Sequence, residues 1–363
     1  MLVLIAPDAF GGTLSAATAA AAIADGWLSQ RPGDSVRCMP MADGGDGTLD
    51  VVEAAVPGTR RHVVEVADAR GLAAQASWLE LPDGRALIES AQACGLHRLP
   101  ADRRNPRLAT TYGVGQLLLA AAAAGARELI VTLGGSATVD GGAGMATALG
   151  HRLERSDGNR LKVGGEYLAD LRAIKPRVGM PVPVVASVDV DAVLLGPDGA
   201  VAGFAAQKGA GPDDLAVLEA GLGNFAEVAE RDLAAGPWRD QPGAGAAGGL
   251  GFGLAAFTGA RLTSGARLVG EMIGLSAAVA EAGAVITGEG CLDRWSLRGK
   301  VPGYVASLAR RSALPVLAVA GRAEGAAQEA FDEVALLGPE GMSDPAAAVT
   351  AAVQELARRA GSS

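Results

Sequence analysis

The chain has 363 residues, 49% of them apolar, and a formal net charge of −9. That length suffices for two domains, or one large one, with cores that need no metal or disulfide staple. The negative balance is a poor match for nucleic acid, and no apolar run approaches the length of a membrane span. The odd, scattered Cys38, Cys94 and Cys291 argue against a disulfide framework or zinc site and fit a reducing cytosol. A soluble, globular, cytoplasmic protein is the expectation.

The start, MLVLIAPDAF, has no basic leader and meets Pro7 and Asp8 at once, which reads as a strand rather than a signal peptide. The alanine cluster 16–24, interrupted by Thr18 and ended by Asp25, reads as a helix lying on a sheet. Next comes CMPMADGGDGTLD (38–50), where Asp43 and Asp46 stand among Gly44, Gly45 and Gly47. From 62 to 89 the pattern changes: 62–66, 76–81 and 85–89 read as antiparallel strands, with a tight turn at Pro82-Asp83-Gly84. His151 to Arg155, followed by Asp157-Gly158, repeats that signal. Short apolar runs ending in Gly, Asp or Ser recur at 2–8, 128–136, 183–189, 284–290 and 315–321, most of them followed by alanine-rich stretches. Strands buried on both faces have this composition. From Asp213 onward, Leu215, Leu218, Leu222, Phe225 and Val228 have helical spacing behind a Pro-Asp-Asp opening. The predicted fold class is α/β: a parallel-sheet domain built from both chain ends (1–65 and 260–363), interrupted by an inserted mixed-sheet α/β domain (66–259).

Open α/β sheets bind ligands beyond the C-terminal ends of their strands, and those ends are where this sequence concentrates aspartate, glycine and lone cations. Asp8 closes the first run. LGGSATVDGGAGM (133–145) places Gly134, Gly135 and Ser136 between a strand and a helix, a setting whose backbone N–H groups favour phosphate or carboxylate; Asp140 there also reads as a helix cap. SVDVD (187–191) ends in Asp189 and Asp191, and Lys208 stands between Gln207 and Gly209. TGEGCLDRWSLRGK (287–300) carries Gly288, Glu289, Asp293, Arg294, Arg298 and Lys300. Carboxylates at strand ends suit Mg²⁺, while Arg, Lys and backbone N–H groups suit phosphoryl oxygens, so the inventory is that of phosphoryl transfer. The basic residues are almost all arginine, which makes Lys208 and Lys300, each beside a glycine, worth singling out. Gly243, Gly245 and Gly248 satisfy GxGxxG, but Pro237 and Pro242 precede them where a buried strand would be needed. They read as a flexible glycine loop before a helix, able to approach phosphate, rather than a dinucleotide site. Lys300 is followed by Val301, so no Walker A motif exists. His62, His97 and His151 read as structural, which removes a Ser-His-Asp triad.

Taken together, IAPDAF (5–10), PMADGGDGT (40–48), ESAQACGL (89–96), RNPRLATTYGVG (104–115), LGGSATVDGGAGM (133–145), FAAQKGA (204–210), PGAGAAGGLG (242–251) and TGEGCLDRWSLRGK (287–300) resemble the bacterial glycerate kinases of the glycerate 2-kinase type. The segments occur in family order and span almost the whole chain. The resemblance implies two α/β domains, one flavodoxin-like, with the active site in the cleft between them. It implies ATP and Mg²⁺ as cofactors, D-glycerate as acceptor and 2-phosphoglycerate as product, with a homodimer left open. On that footing Asp43, Asp189, Lys208, Asp293 and Lys300 are the expected catalytic residues, and Asp189, Glu289 and Asp293 the expected metal ligands. Asp8, Gly44, Gly45, Asp46, Arg104, Gly134, Gly135, Ser136, Gly245, Gly288, Glu289 and Arg298 are the expected substrate or nucleotide contacts. The chain departs from the family pattern at Gly11 (usually lysine), Asp46 (glutamate), Val139 (asparagine), Ala192-Val193 (Asn-Pro) and Trp295 (glutamine). Two alternatives accompany this reading: a kinase for a related small hydroxy acid, and a non-catalytic member that binds nucleotide or hydroxy acid as a sensor.

Overall fold

The inner strands form where the sequence has its short apolar runs. The computed structural model describes residues 1–177, 179–233, 236–338 and 343–360. Its strands are β1 (Leu2–Ile5), β2 (Ser35–Cys38), β3 (Arg60–Ala67), β4 (Ala73–Glu80), β5 (Arg85–Glu89), β6 (Glu128–Thr132), β7 (Arg152–Arg155), β8 (Leu171–Lys175), β9 (Val184–Val188), β10 (Arg261–Ser264), β11 (Ala284–Leu292), β12 (Val316–Ala323) and β13 (Glu333–Leu336).

Chain contacts divide these elements into two compact units, one made of Met1–Asp43, Asp50–Val56 and Ser264 onward, the other of Gly44–Leu49 and Pro57–Thr263. The sequence placed the first crossing after residue 65. The units separate at Val56 instead, because β3 pairs along its whole length with β4, from Arg60↔Glu80 to Ala67↔Ala73.

Unit 1 holds a five-stranded sheet in the order β13-β12-β11-β1-β2, every neighbour parallel. Counted along the chain within this sheet the order is 2-1-3-4-5, the flavodoxin-like winding. The helix Ala16–Gln30 is capped by Ser15, whose Oγ accepts from Thr18 N–H at 3.1 Å. It packs on the helix Pro345–Arg359 so tightly that a Cβ on Gly26 would come within 2.6 Å of the Thr350 carbonyl. Ile23, Trp27, Val349 and Val353 close this face of the sheet.

Unit 2 holds a mixed six-stranded sheet, β10-β9-β6-β5-β4-β3. β3, β4 and β5 run antiparallel as expected, and β5, β6 and β9 are parallel. Asp157-Gly158 forms the expected turn and returns the chain onto β7, where Glu154 bridges Arg160 and Leu161 N–H donates to the Leu153 carbonyl at 2.8 Å; β7 also pairs with the more distant β8. The helix Pro212–Asp232 buries Leu218, Leu222, Phe225 and Val228. Phe225 stacks with Phe257 and meets Phe252 edge-on, each burial worth about 1.5–3 kcal/mol. Val139, at one of the departures from the family pattern, is fully buried in this core.

Candidate active site

In unit 1 the winding reverses between β1 and β11, the place where doubly wound sheets take ligands. Asp8 follows β1, and its N–H donates to the Gly288 carbonyl at 2.8 Å, which sets it beside Glu289 on β11. Met41 N–H donates to the Pro7 carbonyl at 2.9 Å, drawing the loop that ends in Asp43 to the same strand end. Glu289 is only 7% exposed, and its Oε1 has no hydrogen-bond partner. Burial pushes its carboxyl up to about 7; Ser296 and Lys300 act against the rise, while Asp293 and Asp43 add to it. Asp8 is likewise held well above its ordinary value, first by burial and then by Asp43, with Glu289 adding and Lys300 opposing. Several carboxylates thus share one ammonium, an arrangement that a further cation would stabilise.

Between Glu289 and Lys300 the chain makes a tight turn. Asp293 Oδ1 accepts the N–H groups of Trp295 (2.8 Å) and Ser296 (3.1 Å), and Ser296 Oγ donates to the Cys291 carbonyl at 3.2 Å. Asp293 therefore has a turn-forming task, and the turn leads to Lys300 at the N-cap of the helix Val301–Arg311. Arg298 points elsewhere: its exposed guanidinium lies over the Trp295 ring, 5.7 Å from the centroid, with Arg294 also on that ring at 4.8 Å. Gly288 has a packing role, since a Cβ there would meet the Val319 carbonyl at 2.4 Å. Beside this loop a groove of about 620 Å³ runs along the same helix, lined by Gly299, Tyr304, Arg267 and Arg311.

Unit 2 supplies a second constellation. Lys208 is 3% exposed, and its Nζ donates to Ser136 Oγ at 2.9 Å and to the Thr138 carbonyl at 2.8 Å. Burial pulls its ammonium down to about 8. Lys208, Gly134, Gly135, Ser136 and Asp189 line one cavity of about 120 Å³. Gly134 has no room for a side chain, because a Cβ would come within 2.3 Å of Gly45 Cα; its N–H donates to the Gly44 carbonyl at 3.0 Å. Gly135, at φ +70°, lies under Asp46. Asp46 in turn meets His97 Nδ1 at 3.0 Å.

Two expectations change here. Gly134 to Thr138 were expected to offer free N–H groups at a helix N-terminus. Instead Gly134 N–H is bonded to Gly44 and Ala137 N–H to the Cys94 carbonyl (2.7 Å), and the helix begins only at Ala143 and ends at Ala148. Asp140 organises that entry by accepting N–H groups from Thr111, Gly142 and Gly144. Gly245 is buried, with its N–H donated to the Ala192 carbonyl at 2.9 Å, and a Cβ there would lie 2.1 Å from the Val193 carbonyl. Close packing explains this glycine, and the N–H is not available to phosphate.

His97 is the residue that sequence reasoning passed over. Its partner lies 51 positions away, and the ESAQACGL segment just before it gave the only local signal. Arg104 is half-buried with Nε unpartnered, and its backbone abuts Gly209, next to Lys208. Ser90, Thr132 and Ser187, at or just past the C-terminal ends of β5, β6 and β9, also carry buried hydroxyls without partners. Among the described residues no set of three or more His, Cys, Asp and Glu side chains is arranged to cage a metal ion. No helix among them is long and apolar enough to cross a membrane.

Carboxylates crowded at a flavodoxin-type switch point, and a buried lysine among glycine-loop residues, are the candidate site features of an α/β enzyme. The sequence profile of the Glycerate kinase family matches residues 3–361. Glycerate kinase from Bacillus subtilis is 44% identical, covering 88% of this chain and 85% of its own length. Glycerate 2-kinase from Escherichia coli is 41% identical, with the same coverage of 88% and 85%. A crystal structure carrying the name glycerate kinase 2, from Salmonella typhimurium LT2, superposes with a TM-score of 0.82 at 36% identity, over 100% of this chain and 98% of that one. The chain belongs to the glycerate kinase family, and it is a kinase.

Proposed function

We propose that the enzyme transfers the γ-phosphoryl group of ATP to the 2-hydroxyl of D-glycerate, giving 2-phosphoglycerate and ADP, in the cytoplasm. Family membership and the name of the Escherichia coli relative support the substrate pair. The observation that carries the chemistry is the buried, half-unpartnered Glu289 beside Asp8, Asp43 and Lys300.

Mg²⁺ is held by one or two carboxylates plus waters and substrate phosphates rather than by an all-protein cage. The unpartnered Oε1 of Glu289, with Asp8 and Asp43 close by, fits that requirement, and a bound Mg²⁺ would neutralise charge on the phosphates. Asp293 is the weaker candidate ligand, since its Oδ1 already accepts two N–H groups. Lys300 delivers a flexible point charge to phosphoryl oxygens, where a guanidinium would demand fixed bidentate geometry. The acceptor oxygen attacks the γ-phosphorus, the bond to the β–γ bridging oxygen breaks, and the hydroxyl proton passes to a carboxylate. Protein groups contribute mainly positioning and charge to such a transition state.

The test is direct. D-Glycerate, ATP and Mg²⁺ are incubated with the purified enzyme, and the product is identified by phosphorus NMR. Formation of 2-phosphoglycerate is expected. Formation of the 3-phosphate would correct the acceptor position, and no ADP above the glycerate-free control would overturn the reading.

A further inference from the structure

The sheet of unit 2 ends in a long edge. Its outermost strand, β3, has 8 residues, whereas the edge strands β10, β2 and β13 have 4 each. Proteins keep edges short, or interrupt them with proline, lysine or a bulge, because a row of unpaired N–H and C=O groups invites another strand. β3 (RRHVVEVA) has no proline or lysine, and its register with β4 runs unbroken from Arg60↔Glu80 to Ala67↔Ala73. His62 fastens it there: the ring stacks on Trp78 at 4.2 Å, and Nε2 lies 2.8 Å from the Glu80 carboxylate. Val63, in the middle of the strand, is 60% exposed, more than any other large apolar residue among the described ones.

Two hydrogen bonds at the end of β3 show which backbone groups face outward. Asp68 N–H donates across the hairpin to the Leu72 carbonyl at 2.7 Å, whereas Ala67 N–H turns away from β4, to Gln116 Oε1 at 2.7 Å. In an antiparallel pair, successive residues direct their N–H and C=O groups alternately toward the partner strand and away from it. Residues 62, 64 and 66 therefore bond to β4, while 61, 63 and 65 present their backbone groups outward. Among the described residues nothing takes those of Val63 and Glu65. Side chains alternate as well. Val64 and Val66 lie on the core face, so Arg61, Val63 and Glu65 share the opposite one.

A second copy of the same strand matches this edge in one register. Two-fold antiparallel pairing needs an outward-facing residue on the axis. Arg61 on the axis would oppose two guanidiniums. Glu65 there would oppose two carboxylates, and would also need the Ala67 N–H that Gln116 already holds. Val63 on the axis sets valine against valine and, on both sides, Arg61 against Glu65, an opposite-charge pair on one face of the sheet. Arg61 also has a contact within its own chain, and a guanidinium with five donors can serve both. We propose that β3 is a homodimer interface, in which two copies join edge to edge through an antiparallel pair centred on Val63 and their six-stranded sheets become one. Such a contact uses the same patch on both partners and closes on itself, so assembly stops at two. The proposal goes beyond the phosphoryl-transfer reading and does not depend on it.

Sedimentation velocity on the full chain, from about 1 to 100 μM, tests it. The wild type should dimerise within this range. Val63→Pro removes an outward N–H that β4 does not use, a position where edge strands accept proline. It should be monomeric throughout, with an unchanged circular dichroism spectrum. Glu65→Arg and Arg61→Glu each set like charges opposite one another, and each should weaken the dimer by about tenfold or more. Mixing these two variants restores both opposite-charge pairs, so the mixture should dimerise more tightly than either variant alone. If Arg61→Glu does not fold, because its own chain uses that side chain, Val63→Pro and Glu65→Arg carry the test. A wild type that stays monomeric over the whole range overturns the proposal and leaves the edge to a different partner or to none. Dimers that survive both Val63→Pro and Glu65→Arg overturn it in favour of another interface. Assemblies that grow beyond two copies and are dissolved by Val63→Pro overturn the closed two-fold contact. A mixture of the charge variants no tighter than its components overturns the register centred on Val63.

Discussion

Gly135 lies directly beneath the carboxylate of Asp46: a Cβ on Gly135 would come within 2.3 Å of Oδ1. Gly135 also holds φ at +70°, so Gly135→Ala combines left-handed backbone strain with a clash that displaces Asp46 from His97. Gly125→Ala is the matched control, with φ at +95° and nothing within 4 Å of the added Cβ. The control should lose about 1–2 kcal/mol by chemical denaturation, the cost of a left-handed residue. Gly135→Ala should lose more, and only Gly135→Ala should lower kcat/KM. Equal loss of activity in both variants would show that Asp46 has no functional position to protect.

Glu289 provides a pH signature. Its folded value, near 7, lies above the ordinary 4.5, so folding favours the protonated form. That contribution is complete below about 4.5 and is lost as pH rises through about 7, on the order of 3 kcal/mol in all. Glu289→Gln should flatten the fall in stability between these pH values, read from denaturant midpoints. Activity should run the other way, rising with pH up to about 7, because only the carboxylate can hold a cation. A wild-type profile already flat from pH 5 to 8 would remove Glu289 from the chemistry.

Lys208 should weigh on stability in the free enzyme. Its folded value is lowered to about 8, so the burden is full below about 8 and is relieved as pH rises toward the ordinary 10.5. At pH 7, Lys208→Met should therefore be as stable as the wild type or more so, by up to roughly 1–3 kcal/mol, as seen when buried charges give way to apolar groups. Turnover should nevertheless fall by orders of magnitude. Thermal unfolding checks this; a large drop in Tm would mean that the two hydrogen bonds of Nζ matter more than its desolvation.

Asp293 separates two roles by a conservative pair. A turn built on Oδ1 tolerates asparagine, which keeps that acceptor, whereas a metal ligand or base does not. Asp293→Asn should keep most of kcat, and Asp293→Ala should lose at least tenfold as the segment to Lys300 loosens. A collapse of kcat by orders of magnitude in Asp293→Asn alone would restore Asp293 to direct chemistry.

The inner strands β1, β6, β9, β11 and β12 were legible because β-runs buried on two faces are uninterrupted apolar segments closed by Gly, Asp or Ser, whereas the edge strands β2 (SVRC), β10 (RLTS) and β13 (EVAL) are short, partly exposed and carry no such run. Lys208 stood out for a compositional reason, as a rare lysine beside glycine in an arginine-rich chain, and it proves to be buried among the residues that line a cavity. What could not be read depends on contacts between distant segments. Gly245 looked like a phosphate-loop glycine, yet its N–H belongs to Ala192 and its missing side chain makes room for Val193. Val139 looked like a substituted loop residue, and it lies in the core. The pairing of Asp46 with His97 follows from how the glycine loop meets the segment after β5, which no local spacing encodes. Asp43 and Asp46, three positions apart, even belong to different units.

The route of the chain also orders its own synthesis. Nearly all of unit 2 is one continuous segment, complete once Thr263 has been translated, whereas the central strand β11 of unit 1 and its neighbours β12 and β13 arrive only afterwards. The amino-terminal helix Ala16–Gln30 waits still longer, since its partner face on Pro345–Arg359 is among the last parts made. Domains generally fold as units during translation, so the inserted unit can mature while both halves of its host sheet are still apart. Until then β1, with Val3, Leu4 and Ile5 destined for full burial, has β2 as a neighbour but lacks β11 on its other edge, which leaves this half-built sheet exposing apolar surface that a chaperone would cover.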